Sequence, residues 1–456
     1  MFDFLRKYWE PLLFAIGLSL LLFIGGSVLT YYKIFPASVI VDVLTFIEES
    51  EDLERDIQHS LNIKPLKALE KTTQKEGGVV KYDSDKAYDS VTFIAGLQDK
   101  YFMLKLIDMN GKILNKWDIP FSKAWSDAKH LKKQPEDQYV EIGSGILYPD
   151  GDVIFCYQYK GLVRADKNGN IIWKKPILAH HLMFKDQEGY IWAPVIKSEQ
   201  KVYQFGRKHF ILEDPEYVFK ISPDGEVLEE FDILEALIKG GKKGLLSSYI
   251  ESLNPKKSPM HKPDPENKNI KIEGKDLTHL NDIEVIETDA FNNLPGFNKG
   301  DIVVSLKHVN SIVVIDRKTK IAKWVISAPF AHQHDVDMHE NATLTLFDNE
   351  GGGTEGIYEL KSRVIKIDPA TGKVDTIYEK EKPDRFYSYN RGNHQFLPNG
   401  NIFIIESCKG HLFEIDKNGE IVWEFFDKWN HEYVRIIGYA LKYPVDYAKF
   451  LEEKEK

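Results

Sequence analysis

Cysteine is almost missing from this chain of 456 residues: only Cys156 and Cys408 occur, and neither has a spaced partner. A zinc-thiolate site, an iron–sulfur cluster and a disulfide framework are thereby excluded as organising features, which leaves at most one bridge between the two. Positive charge is short as well. The net charge is -10 at pH 7, which argues against a general nucleic-acid binder. No G-x-x-x-x-G-K-[ST] phosphate loop occurs, so the usual cradle for a nucleotide phosphate is missing. With 43% apolar, 29% charged and 12% aromatic residues, the composition is that of a globule, not of a disordered or collagen-like chain.

Charge of either sign disappears from Pro11 to Tyr32, PLLFAIGLSLLLFIGGSVLTYY. Spanning the hydrocarbon core takes ~20 apolar residues, so the run is long enough for a transmembrane helix. Trp9 precedes it and Tyr31 and Tyr32 close it, as aromatic belts at two interfaces would. Arg6 and Lys7 lie before it, and Asp42, Glu48, Glu49, Glu51 and Asp52 after it. The positive-inside rule then orients a single-pass inner (plasma) membrane protein. Residues 1–10 are expected in the cytoplasm, 11–32 in the membrane, and the body outside the cytoplasm, periplasmic in a diderm cell. A cleaved signal peptide fits less well, because the run is long for such a segment and no A-x-A site follows. Residues 33–75 read as a helical stalk or linker, with Val43, Phe46 and Ile47 on one face.

Over residues 76–456 one pattern recurs: an apolar strand, Asp or Ser-Pro-Asp, a turn, and a second apolar strand. The copies are LIDMNGKILNKW (106–117), VRADKNGNIIWKK (163–175), KISPDGEVLEEF (220–231), VVIDRKTKIAKW (313–324), VIKIDPATGKVDTIY (364–378) and FEIDKNGEIVWEF (413–425). Asn-Gly and Asp-Gly supply the positive φ that tight hairpins require. A second hairpin precedes several copies, as in ILYPDGDVIF (146–155) and FLPNGNIFII (396–405). Repeated four-stranded units predict an all-β fold, a six-bladed β-propeller. One long gap, between Ser222 and Asp316, holds an insertion at 232–275. It opens with an Asp232/Glu235 capping box and stops at Gly240-Gly241. It serves either as a lid over the ring or as a surface excursion.

Four histidine-bearing groups sit at one phase, each before the first hairpin of a unit. They are AHHLMF with His180 and His181; DLTHLNDIEV with Asp276, His279, Asn281 and Asp282; AHQHDVDMH with His332, Gln333, His334, Asp335 and Asp337; and NRGNHQFLPNG with Asn390, Arg391, Asn393 and His394. In a propeller that phase faces the central channel, so groups far apart in sequence converge. Imidazoles, amides and an arginine suit an anionic ligand and acid–base or nucleophilic work near neutral pH. The same His-x-His-Asp run with Asp337 could supply metal ligands, although no group has a standard spaced zinc motif.

These residues resemble the bacterial arylsulfate sulfotransferase (arylsulfotransferase) superfamily, from about Gly143 to Trp423. The segments that carry the likeness are WKKPILAHHLMF, DLTHLNDIEVI, GDIVVSLKHVNSIVVID, QHDVDMHENATLTLFDN and RGNHQFLPNGNIFIIESCKGHLFEIDKNGEIVWEF. The resemblance implies sulfuryl transfer from an aryl sulfate to a phenol through a transiently sulfated histidine. It implies neither a nucleotide sulfate donor nor a metal, so no cofactor is expected. By position, His334 of QHD would be the nucleophile, and His279 and Asn281 of H-x-N would bind sulfuryl oxygens or assist proton transfer. Of the pair His180-His181, His181 is the better channel candidate. The family's S-x-R-H arginine is replaced by Lys307 in Ser305-Leu306-Lys307-His308, and lysine lacks the planar bidentate fork. Arg391 is the candidate to compensate from another blade, and His394 is a further channel candidate. Asp335 is not expected to orient His334, because adjacent strand residues face opposite ways.

The expected partners are therefore a small aryl sulfate, a phenol and the membrane, with no nucleic acid; a homodimer is left open. Two other readings stand beside enzymatic sulfuryl transfer: a membrane-anchored propeller that binds a ligand or protein without catalysis, and a different hydrolase or a metal-dependent enzyme on the same scaffold.

Overall fold

The computed structural model describes residues 68–98, 100–205, 208–246, 269–272, 276–351, 361–380 and 385–454. The expected membrane span at 11–32 and most of the stalk lie outside the described residues. Among the described residues no helix is long and apolar enough to cross a membrane.

Six four-stranded antiparallel blades make up the body. All six repeat copies form the third and fourth strands of a blade counted from the inside, as in Gly161–Ala165 with Ile171–Lys175 and His411–Ile415 with Ile421–Phe426. The local reason is an Asx turn. Asp108, Asp166 and Asp416 each accept hydrogen bonds from the backbone N–H two and four residues on, at 2.8–3.0 Å. Gly169 (φ 78°) then turns the chain back; in the glycine-free copy at 313–324, Lys320 takes the left-handed conformation instead (φ 58°).

The tryptophans of these hairpins link neighbouring blades. The indole N–H of Trp423 donates to Met109 O at 2.9 Å, Trp117 to Gly151 O at 3.1 Å and Trp173 to Pro223 O at 3.0 Å. Trp117 and Trp423 are completely buried, each burial contributing on the order of 2 kcal/mol or more before the hydrogen bond is counted.

Three features depart from the sequence expectation. Leu69–Lys71, inside the expected helical stalk, is a strand paired with Tyr433–Arg435, and Gly78–Tyr82 adds a fifth, outermost strand to the sixth blade. Extended pairing to ready strand edges outweighs a weak helical pattern here. Second, the first blade takes its inner strand, Ile437–Pro444, from the other end of the chain; it pairs along Ser90–Gln98 and closes the ring. Third, the third blade carries an unforeseen hairpin, Gln200–Phe205 with Lys208–Glu213. Asn269–Ile272 joins it in parallel, so the insertion returns onto this hairpin. The insertion's opening is as expected: Asp232 Oδ1 accepts from Glu235 N at 2.7 Å, capping the helix Ile233–Lys239, and Gly240 ends it. Residues 247–268 and 273–275 lie outside the described set. Cys156 and Cys408 are both free and buried.

Candidate functional site

The four histidine groups do open the inner strands of four consecutive blades. His181 precedes Phe184–Lys185, His279 precedes Leu280–Val285, His334 begins His334–Met338, and Arg391 precedes Asn393–Phe396. Several residues at this phase adopt positive φ without being glycine: His181 (53°), His279 (51°), His332 (56°) and Arg391 (59°). Each such conformation costs about 1–3 kcal/mol, and its recurrence at one place in four blades marks a site the surrounding structure enforces.

The imidazoles form a chain of ring contacts. His180 meets His181 at 5.0 Å between centroids, His181 meets His279 edge-on at 4.7 Å, and His279 meets His308 at 4.6 Å. Tyr159 stacks on His180 at 4.6 Å. Glu216, in a neighbouring strand, holds the loop beneath His279: it accepts from the Leu280 N–H at 2.7 Å and from Thr278. Burial, then the charge of Asp276, raises Glu216 to about 7.

Hydrogen-bond partners fix the ring protons. Asn349 Nδ2 donates to Ser388 O at 2.8 Å and Arg391 O at 2.6 Å, which turns its Oδ1 toward His334 Nδ1, 2.7 Å away. The His332 carbonyl lies 3.0 Å from the same nitrogen. Both neighbours accept, so Nδ1 carries the proton and Nε2 is a bare lone pair. That Nε2 is buried and has no hydrogen-bond partner among the described residues. In the pair His180–His181 the two Nδ1 atoms are 2.7 Å apart, and His180 Nε2 is likewise unpartnered. A buried orphan lone pair is less costly than an orphan N–H, so His180 donates through Nδ1 and His181 keeps its proton on Nε2. His279 donates from Nδ1 to Asp276 Oδ2, and His308 Nδ1 lies 2.8 Å from the Asp276 carbonyl.

Electrostatics keeps these rings neutral. Burial, reinforced by the Lys307 ammonium, lowers His334 to about 3 and His279 to about 4. Burial and His279 hold His181 well below the usual range. Lys307 itself is shifted down by burial. No carboxylate lies within ion-pair distance of Lys307 among the described residues; Asp276 offsets its charge only from farther off, and that charge acts on His334 and His279.

A cavity of about 30 Å³ opens among His181, Asn281, His334, Arg391, Gln158 and Gly143, room for about one water. Gly143 lets His181 approach, since a Cβ there would lie 3.2 Å from His181 N and 2.2 Å from Gln158 Oε1. A groove of about 670 Å³, lined by Tyr159, Leu178, Ile196, His130 and Asp276, borders the cluster on another side. It falls within the ~300–1,000 Å³ typical of ligand sites.

Thus His181, His279, His334, Asn281, Lys307 and Arg391 share one neighbourhood, and His180 backs it. Two of these residues are already engaged. Asn281 Nδ2 donates to Gln333 O at 2.7 Å, leaving Oδ1 bare. Arg391 is ion-paired with Glu141. His394 sits with a different set, Asp335, Asp337 and Thr345. Asp335 accepts from the His394 N–H, and Asn349 rather than Asp335 orients His334. His308, Asn349 and Tyr159 escape the sequence reading; only His308 left a signal, its place beside Lys307. Two trios could offer metal ligands within 4.8 Å, Asp276/His279/His308 and Asp335/Asp337/His394. The first is knit internally by its own hydrogen bonds and lies beside the Lys307 charge.

Among solved structures the chain is similar to a Bacteroides caccae protein, with TM-score 0.47 and 12% identity over 78% of this chain and 99% of that one. It is also similar to a streptogramin B lyase (0.38, 14%, 80% and 88%) and to the virginiamycin B lyase of Staphylococcus aureus (0.37, 13%, 80% and 89%). Likeness at this level carries no functional argument. No curated protein matches. The family model for arylsulfotransferase (ASST), in contrast, matches residues 139–428, a stretch that contains every residue of the histidine cluster, and the chain belongs to that family.

Proposed function

We propose that the protein transfers a sulfuryl group from an aryl sulfate to a phenol through a sulfated His334. The observation that carries this reading is the His334 Nε2 lone pair, held bare by the Asn349 contact, with the Lys307 ammonium acting on the same ring. In the first half-reaction Nε2 attacks sulfur. The N–S bond forms as the S–O bond to the aryl group breaks, and the aryl group leaves as phenolate, its oxygen held by a hydrogen bond from His181 Nε2–H, which keeps its proton. The sulfated ring keeps its Nδ1 proton, and the resulting positive charge is stabilised by Asn349 Oδ1 and the His332 carbonyl. In the second half-reaction the acceptor phenol gives up its proton to His279, from which it passes to solvent, and attacks sulfur, and the N–S bond breaks to restore neutral His334. Charge gathers on the sulfuryl oxygens throughout, by analogy with phosphoryl transfer, and Lys307 is the cation available to it. His279 is oriented by Asp276 for this proton transfer, and the groove beside Tyr159 suits the aryl ring.

Incubation with an isotopically labelled aryl sulfate alone should label His334, read by peptide mass spectrometry; a label on His181 or His279 would refute the assignment. A second reading, binding without turnover, draws on Arg391, whose charge is already matched by Glu141. Sulfate or aryl sulfate binding with no release of phenol across a donor panel would favour it. The charge-free run at 11–32 supports a membrane anchor with the propeller outside the cytoplasm.

A further inference from the structure

Beside the histidine cluster, where the fifth and sixth blades meet, lies a second buried group that sulfuryl transfer does not use. The His394 side chain is fully buried. Its Nε2 lies 2.7 Å from Thr345 Oγ1, which is also 2.8 Å from His339 Nε2. A hydroxyl has one proton, so Thr345 donates to one imidazole and accepts from the other. His394 Nδ1 makes no hydrogen bond among the described residues, and an orphan lone pair is the cheaper orphan. The proton is therefore on Nε2, and Nδ1 is a lone pair. It faces Asp335 Oδ2 at 2.6 Å, an oxygen that already accepts from the His394 backbone N–H.

Two electron-rich atoms rest at that distance only with a proton or a cation between them. Asp337 Oδ2 is 3.3 Å from Nε2 of the same ring; the charge of Asp282, in the fourth blade, acts on Asp337, and those of Asp282, Asp335 and Asp337 act on its neighbour Glu284. No lysine or arginine pairs with any of these four carboxylates among the described residues. Asp282 and Asp335 are buried, while Asp337 and Glu284 keep part of their surface; a fully buried carboxylate without a cation is costly, by several kcal/mol, and elsewhere in this protein the buried Glu414 is matched by Lys442. Asp335 is brought into place by a bulge after His334, with φ 54°, so the backbone is shaped to present it.

We propose that Asp335, Asp337 and His394 bind a divalent cation of the Mn²⁺ or Zn²⁺ class, which ties the inner strands of the fifth and sixth blades together. One imidazole and two carboxylates suit such ions better than Ca²⁺. The Thr345 contact to Nε2 is the outer hydrogen bond that orients a histidine ligand. The cation takes no part in sulfuryl transfer, and the site stands whether or not that transfer occurs.

The test uses the full chain, stripped with a chelator, dialysed, and titrated separately with Mn²⁺ and Zn²⁺. Bound metal is read by elemental analysis and stability by thermal unfolding. One ion per chain and a raised Tm are expected. Asp337→Asn and His394→Gln should each weaken binding about tenfold or more, while His279→Ala should leave it unchanged. Failure of both ions to bind the wild type overturns the proposal, as does binding that survives Asp337→Asn and His394→Gln or is lost in His279→Ala. Should a variant misfold, manganese paramagnetic relaxation of the His394 signals in the wild type decides: broadening supports the site, its absence refutes it.

Discussion

Asn349 Oδ1 and His334 Nδ1 lie 2.7 Å apart, and because two carbonyls hold the Asn349 amide, this one contact decides which nitrogen of His334 can attack. His334→Ala should abolish transfer and labelling while the fold persists. Asn349→Leu should leave the label on His334 but slow its formation. The Nδ1–H then keeps only the longer contact to the His332 carbonyl, and loss of its shorter acceptor costs about 1 kcal/mol, roughly fivefold in rate. Labelling kinetics on the two variants check both statements.

Lys307 carries the second prediction. Lys307→Ala should lower the transfer rate by ~2.7–4 kcal/mol in the barrier, as loss of one oxyanion donor does. Lys307→Arg should retain activity. Since burial first and Lys307 second depress His279 to about 4, the acid limb of the rate should lie well below the ordinary histidine range in the wild type. It should move upward in Lys307→Met. A pH–rate profile that is the same in both would remove Lys307 from the site.

His411 gives a stability prediction with a defined sign. Burial acts to lower it, but Glu406 at 2.8 Å and Glu424 at 2.9 Å outweigh this and raise it above 6.5. Its protonated form therefore stabilises the fold fully below the unfolded value near 6.5, and that contribution is lost as pH rises through the higher folded value. Denaturant midpoints of wild type and His411→Gln should differ most in mild acid and converge in alkali. A constant difference across that range would refute the pairing.

Topology is tested by reporters. Fusions after residue 60 should be active only with a reporter that requires export; an active cytoplasmic reporter there would reverse the orientation read from Arg6 and Lys7.

Much of this architecture is legible because it is local. The Asp108, Asp166 and Asp416 turns satisfy their own backbone within a few residues, so their spacing marks the blades. The phase of His181, His279 and His334 is readable for the same reason. Asn349 and the Ile437–Pro444 strand are not, since each acquires its role only from partners brought in by ring closure. The hairpin Gln200–Glu213 has no repeat counterpart to betray it. Arg391 was legible as a channel residue, yet its neutralisation by Glu141 depends on a contact from the second blade.

The closing strand has a kinetic consequence. Ile437–Pro444 must find Ser90–Gln98 across almost the whole length of the domain, and such non-local pairing forms late and slowly. The second to sixth blades can be fully paired while the ring is still open, with the strand edge of Ser90–Gln98 bare and the channel wall incomplete. Without this pairing the histidines would be present but unconfined, so the sealed interior depends on a contact between the two ends of the domain.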